Sequence, residues 1–414
     1  MNNPDKQAAL PRLLYLGDVP VESSYHGSAL LYRLLETYPA DRLQVVEAGW
    51  HDSLPERRLK AVPYYFQSLS LFRLFHSRFT RWVISFNLLM ADRRARQFQD
   101  LVEAFKPQAV LTVAHGISWI TAASLAQKLK IPLHLICHDE WVDIFPALPV
   151  IRQWKEQIFR KIYQMATSRL CVSPSMVEDF AKRYGADGKL LYPSRAVNAT
   201  TANVPAERLK RLRNGLVVAY AGSVYSPESL RLLAECLEPL GGKLLIFAPG
   251  SRGQGAFANL ELPNIHFQGL LDSRELIARL REEADLLFVP MSFLPKDRAN
   301  IETCFPSKLT DYTAVGLPIL IHGPEYGSAI RWARENPGAA EVLTSWNAAE
   351  LIETLQRLKA SPEVLISLAE GAIEAGQQFF SHEKAWDIFQ EVLLSPDRDA
   401  ESGTPVSASL AAIK

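Results

Sequence analysis

Apolar runs and longer amphipathic stretches alternate along the whole chain. In the first half the runs are LLYLG at 13, LQVVEA at 43, AVLTVA at 109, PLHLIC at 132, RLCVS at 169 and KLLYP at 189. In the second half they are LVVAYAG at 216, KLLIFA at 243, NIHFQG at 264, DLLFVP at 285, LPILIH at 317 and AEVL at 340. Most are continuously apolar rather than alternating, the mark of parallel strands covered on both faces. Strands separated by helix-patterned segments, in two successive series, predict two doubly wound α/β domains. Ligands of such sheets bind beyond the carboxyl ends of the strands, so two facing domains enclose a cleft with one wall from each.

Between the two series, SRAVNATTANVPAERLKRLRN is polar and without period. The expected organisation is therefore a first domain over 1–195, a linker over 196–214 and a second domain over 215–380. A helix over 381–395 is expected to return to the first domain, ahead of a small, polar, disordered tail over 396–414.

One segment departs from this rhythm. In LSLFRLFHSRFTRWVISFNLLM, residues 69–90, a helix would align Leu69, Phe72, Phe75, Phe79, Trp82, Val83 and Phe86 on one stripe, with Ser70, Arg73, Ser77 and Arg81 opposite. No acidic residue occurs between Glu56 and Asp92. Such a helix either buries its stripe in the first domain or lies in an anionic membrane surface, which would suit a lipid-linked acceptor.

Composition removes other classes. With 414 residues and 48% hydrophobic content the chain can build two full cores. Lys plus Arg and Asp plus Glu both total 45, so no net field draws nucleic acid, and any bound anion must be held locally. Cys137, Cys171, Cys236 and Cys304 are widely spaced and form no CxxC pair, which speaks against a zinc site or a disulfide framework. Neither a signal peptide nor a bilayer-spanning run is evident, so a cytoplasmic location is expected, with 69–90 the candidate for peripheral contact with the inner face of the membrane. GSRGQG at 250–255 is not a dinucleotide fingerprint, and SKLT at 307 lacks the glycines of a phosphate loop. The Asp397–Asp399 pair lies in the tail, so no carboxylate-held Mg²⁺, no other metal and no cofactor is expected, and activity should survive EDTA.

FPSKLTDYTAVGLPIL, residues 305–320, carries the most chemistry. A helix starting near Pro306 or Ser307 would present N–H groups and a positive dipole end to an anion, and Lys308 in its first turn adds a full charge. Asp311, one turn on, would repel phosphate but accept hydrogen bonds from a ribose diol. The alternative is a helix capped by Ser307 with Lys308 and Asp311 as a surface pair. On the first-domain side, His138 and Asp139 follow LHLIC, His115 follows AVLTVA, and His26 stands beside Gly27 in the first loop after a strand. There a neutral imidazole could hydrogen-bond a sugar or acceptor, with Asp139 fixing the tautomer of His138. Equally, each could simply satisfy a strand end.

The stretch from Asn264 to Ile321, with its Phe-x-Gly strand end, its Ala-Asp-strand-Pro segment and a carboxylate five residues before Gly-x-Pro, resembles the donor half of GT-B glycosyltransferases. The retaining family-four type is the nearest. The glycine loop near Gly17 and Gly27, CHDEW, and VSPSMVEDFAKRYG fit the first half of the same fold, and the resemblance covers nearly all but the tail. It implies two facing Rossmann-like domains and a transferase that moves a sugar from a nucleotide diphosphate to an acceptor hydroxyl, with retention. His138, Asp139 and Lys308 would carry catalysis. Asp311 would meet the ribose, Ser307, Lys308 and Leu309 the diphosphate, and Gly269 and Leu270 the base. His26, Gly27 and His115 would face a sugar or lipid-linked acceptor.

Two positions depart from the family pattern. Its first glutamate falls at Thr303, with Glu302 one residue out of register, and the basic pair after the first donor-domain strand is replaced by AGSVYSPES. Lys308, Arg298, Lys296 or Arg252 could supply the missing charge. An epimerase acting on nucleotide sugars, or a nucleotide-sugar-binding protein without turnover, are the alternatives.

Overall fold

The computed structural model describes residues 9–395 apart from 24–25, 75–76, 145–146, 198, 213–214, 250–256, 258–259 and 272. Arg252, the GSRGQG loop and the 396–414 tail thus lie outside the described residues.

Each of the twelve apolar runs forms a strand, and all strand pairs are parallel. The first sheet comprises β1 (Leu13–Gly17), β2 (Leu43–Glu47), β3 (Tyr64–Phe66), β4 (Ala109–Val113), β5 (Leu133–Cys137), β6 (Ser168–Cys171) and β7 (Lys189–Leu190), in the order 3-2-1-4-5-6-7. The second comprises β8 (Val217–Ala221), β9 (Lys243–Phe247), β10 (Ile265–Phe267), β11 (Leu286–Pro290), β12 (Ile319–His322) and β13 (Glu341–Leu343), in the order 10-9-8-11-12-13. The central strands β1, β4, β5 and β8 are buried along their whole length, which is why they read as unbroken apolar runs. Order reverses beside β1 and beside β8, and those two switch points set the walls of the cleft.

The helices that position the site are α1 (His26–Leu35), α2 (Thr80–Leu89), α3 (Ser118–Leu129), α4 (Pro174–Tyr184), α5 (Arg298–Thr303), α6 (Lys308–Val315) and α7 (His382–Leu394). The last of these lies on the first domain: Ala385, Trp386 and Phe389 share a core with Leu13, Leu31 and Leu35.

Residues 69–90 do not form the single helix expected. Leu71 takes a left-handed φ of 60°, a short 3-10 turn follows at Phe72–Leu74, and the regular helix α2 begins only at Thr80. The break has a local cause: the Ser77 hydroxyl donates to the Leu74 carbonyl at 2.5 Å and accepts from Phe79 N at 3.1 Å, competing with the helical ladder. Asn87 then pins the preceding segment, its amide bonding Ser70 N at 3.1 Å and Ser70 O at 2.9 Å. The expected stripe is split: Leu69 and Val83 are buried, whereas Phe79, Trp82 and Phe86 are exposed. The side chains of Phe72 and Phe75 are outside the described residues.

Candidate active site

The donor-side wall is built where β8 ends. β8 is followed by Gly222, and α6 packs beneath that loop with Leu309 and Tyr312 fully buried. The Tyr312 hydroxyl accepts from Ala221 N at 2.6 Å, fixing the height of the helix against the strand. Lys308 then points toward the β8 loop: its Nζ donates to the Tyr220 hydroxyl at 2.7 Å and stands 4.1 Å from that ring's centroid. A side chain at position 222 would begin 3.7 Å from the lysine Cε, so the bare Gly222 backbone, at φ +113°, leaves room beside the ammonium. No carboxylate pairs with Lys308 among the described residues, and burial pulls its pKa down to about 7.

Ser307 does not cap α6: its backbone is already helical and its side chain makes no cap bond. Its carbonyl takes Thr310 N at 3.1 Å and the Thr310 hydroxyl at 2.7 Å. Leu309 buries its side chain and gives its N–H to Pro306 O at 3.0 Å. Gly269 borders open space and Leu270 is exposed. Arg298 lies over the Tyr326 ring at 4.5 Å and within 3.6 Å of Glu302, while Lys296 is exposed on the loop before it. Of the four cations named from sequence, Lys308 is the one that the described residues seat at the end of β8.

Asp311 points elsewhere than expected for a carboxylate awaiting a diol. Arg33 of α1 grips it with both guanidinium nitrogens, at 3.0 Å and 3.2 Å, and also donates to the Ser194 carbonyl at 2.9 Å. The clasp spans the two domains, and sequence gave no sign of it. Thr303, where the resemblance places a glutamate, turns its hydroxyl back to Ala299 O at 2.9 Å, and its carbonyl accepts from the Ser173 hydroxyl of α4.

On the facing wall, β4 and β5 are neighbours in register, Val113 opposite Ile136, so His115 and His138 leave the sheet side by side. The Trp141 indole N–H donates to the Gly116 carbonyl at 2.6 Å and ties the two loops together. Gly116 has φ +61°, and a Cβ there would stand 2.3 Å from the Asp18 carboxyl carbon. That turn lets Asp18 Oδ2 accept from Ile117 N at 2.8 Å and Ser118 N at 2.5 Å, at the start of α3. Asp18 Oδ1 has no partner among the described residues, and burial, only partly offset by those bonds and by Arg94, pushes the carboxyl up to about 6.

The three first-domain candidates meet at one point. Asp139 Oδ2 lies 3.1 Å from His115 Nδ1 and 3.0 Å from His138 Nε2, and the two ring nitrogens are 3.3 Å apart. Burial opposes the charged form of both Asp139 and His115, but attraction to His138 and then to His115 lowers the Asp139 carboxyl, and Asp139 in turn raises the His115 imidazole. His138 packs against the start of α1, where a Cβ on Gly27 would come within 3.1 Å of its ring. The side chain of His26 is outside the described residues. Beneath His138 is a small recess of about 40 Å³, lined mostly by apolar side chains including Leu30, Leu34, Val113, Ile136 and Ala385.

Comparison with known proteins places this fold. Residues 32–200 match the family model described as Glycosyltransferase Family 4. No curated protein matches the sequence. Solved structures match over nearly the whole chain. Anabaena HepE in complex with UDP and glucose aligns with a TM-score of 0.64 at 16% identity, over 93% of this chain and 100% of its own. Sucrose-phosphate synthase from Thermosynechococcus elongatus gives 0.63 at 14%, over 95% and 100%. The E. coli trehalose-6-phosphate protein bound with UDP-2-fluoro glucose gives 0.64 at 12%, over 93% and 99%. Likeness at these identities establishes a common fold.

Proposed function

We infer that this GT-B glycosyltransferase moves a sugar from a nucleotide diphosphate donor to an acceptor hydroxyl, with retention and with no metal at the diphosphate. The observation that carries the reading is the seat of Lys308, half-buried at the end of β8 on the first turn of α6 and without a counter-carboxylate among the described residues. Negative charge grows on the diphosphate as the glycosidic bond breaks, and a preorganised ammonium at the positive end of a helix dipole can stabilise it. UDP is the nucleotide to try first, since HepE holds UDP and glucose in the same fold.

The opposite wall supplies polar groups at a strand end, His115, His138 and Asp139, suited to orienting sugar hydroxyls. The outer face of α2 points to the kind of acceptor. Phe79, Trp82, Phe86 and Leu89 are exposed at 43, 64, 42 and 59%, and Leu71 and Leu74 stand in the segment before them. Arg73, Arg78 and Arg81 are interleaved with them and exposed. Aromatic residues among arginines, on a surface rather than in a core, fit the headgroup layer of an anionic membrane and thus a lipid-linked acceptor. No described helix is long and apolar enough to cross a membrane.

A panel of nucleotide sugars, read first by thermal shift and then by donor consumption with and without acceptor glycolipids, tests the reading. Acceptor-dependent release of nucleoside diphosphate is expected. Turnover of donor alone to an isomeric sugar would instead identify an epimerase. Binding without turnover would identify a nucleotide-sugar-binding protein, the outcome that Thr303 in place of a glutamate favours.

A further inference from the structure

We propose that Tyr225 binds the donor: from the loop after β8 its phenol donates a hydrogen bond to the diphosphate of a nucleotide sugar, as a second group beside Lys308. That the ligand is a nucleotide diphosphate rests on the transfer reading. The loop reads AGSVYSPES and carries no lysine or arginine, so any help it gives Lys308 is uncharged.

The backbone presents this side chain to the cleft. On one side of it Val224 packs against the core, and on the other Ser226 is buried with its hydroxyl 2.7 Å from that of Ser229. Pro227 then opens the helix Pro227–Leu237 with a fixed φ. Both neighbours face inward, so Tyr225 faces out. At 77% exposure it is the most open phenylalanine, tyrosine or tryptophan among the described residues, and the fold does not use its ring for packing.

The loop is also tied to the lysine. The Tyr220 hydroxyl accepts from Lys308 and donates to the Ser223 carbonyl. The Ser223 side chain in turn hydrogen-bonds the Tyr225 phenol. Phenol and ammonium thus belong to one short chain of contacts around Gly222, whose missing side chain leaves room beside the lysine.

The ring is open to water and yet enclosed. The surrounding walls raise its phenol, and so does the charge of Asp139 on the first domain. A side chain in that condition stands in a concavity that solvent still fills, the setting of a ligand site. The bond from Ser223 works the other way and favours the phenolate, as a bond donated to the phenol oxygen does. The phenol's own proton is left for a ligand. A diphosphate oxygen, which only accepts and carries charge, is the stronger match for it. Because the phenol is held protonated, it still donates at a pH where Lys308 has lost its charge.

Tyr225→Phe in the full chain removes the hydroxyl alone, and the parent's melting temperature should be kept because the side chain is exposed. In calorimetric titrations the variant should bind UDP about tenfold more weakly and uridine as the parent does. The loss should be equal at pH 7 and pH 9, and at low and high salt, since a neutral donor has no charge to titrate or screen. The loss caused by Lys308→Ala should shrink under both changes. Parent-like affinity for UDP, an equal loss for uridine, a loss that fades with salt, or a fall in melting temperature each overturns the assignment of Tyr225 and leaves the transfer reading standing. Failure of the parent to bind UDP, GDP or ADP sinks the transfer reading, and this assignment with it.

Discussion

UDP should take up a proton when it binds. In the free protein burial holds the Lys308 pKa at about 7, against 10.5 in a solvated chain. At pH 8 only about one Lys308 in eleven is then charged. A diphosphate beside it reverses the balance, because the ammonium gains a partner that outweighs lost solvation. Binding at pH 8 should thus draw in about 0.9 proton, and affinity should fall about tenfold from pH 8 to pH 9. At pH 6, where the lysine is already charged, uptake should vanish. Calorimetry in buffers of different ionisation heat gives the proton count directly. Uridine should bind with no uptake.

Variants locate the proton. Lys308→Arg stays charged throughout and should abolish uptake. Lys308→Ala should abolish it too, and should weaken UDP by roughly tenfold to a hundredfold while leaving uridine unchanged, the loss of a charged hydrogen bond of about 1.5–3 kcal/mol. The same shift has a signature in stability. Between pH 7 and 10.5 the unfolded chain holds the extra proton, so this group makes the fold more stable as pH rises through that window and least stable below it. Lys308→Met should lose that rise. No uptake by the parent at pH 8, or equal uptake by Lys308→Ala, refutes the assignment of Lys308 to the diphosphate.

Asp311→Asn should weaken UDP and uridine alike and only severalfold, since both carry the diol and Arg33 already holds the carboxylate; loss for UDP alone would place Asp311 elsewhere. Arg33→Ala leaves Asp311 and the Ser194 carbonyl without their shared donor. It should cost about 2 kcal/mol in urea unfolding, and an unchanged midpoint would show the clasp to be idle. Trp82→Ala with Phe86→Ala should abolish flotation with anionic vesicles without lowering the melting temperature, because both side chains are exposed; parent-like flotation, or none by the parent, removes the membrane face. The raised Asp18 carboxyl, about 6 against 3.8, adds stability below pH 3.8 that is lost as pH rises through 6. Asp18→Asn should therefore gain about 2.4 kcal/mol on the parent between pH 4 and pH 7, and a constant difference across that range would contradict the shift.

The strands were legible because a parallel strand buried on both faces must be apolar at every position, a signal needing no partner. Tyr64–Phe66 escaped notice for the opposite reason: it is an edge strand of three residues, mostly exposed, right after Pro63. Residues 69–90 misled because periodicity reports which positions are apolar, not whether the backbone is continuous. The Ser77 hydroxyl and the left-handed Leu71 break the helix while the pattern runs on. His115, His138 and Asp139 could each be placed at a strand end from sequence, but their meeting depends on β4 and β5 being neighbours with Val113 opposite Ile136. Consecutive strands are neighbours in this sheet except at the crossover from β3 to β4, and no local pattern shows where along the chain that crossover falls, so two loops can be assigned to the cleft without being assigned to each other.

Asp311 shows the limit most plainly. Its partner Arg33 is 278 positions away, and nothing in either local pattern connects them. The structure gives one helix two duties: Lys308 turns to the β8 loop, and Asp311, one turn on, reaches across to α1 of the other domain. A ribose diol that donates hydrogen bonds to this carboxylate must share it with a guanidinium that already holds both oxygens. The exchange returns only the difference between two sets of charge-assisted bonds, so a contact that looks strong in the complex contributes little net affinity. Its larger consequence is mechanical. Arg33 lies on the helix whose start abuts His138 through Gly27, and its carbonyl also meets His382 at the head of α7. Any loosening of the Arg33–Asp311 clasp by nucleotide therefore acts on the first-domain wall as well as the second, through a helix that touches both the histidine cluster and the returning C-terminal segment.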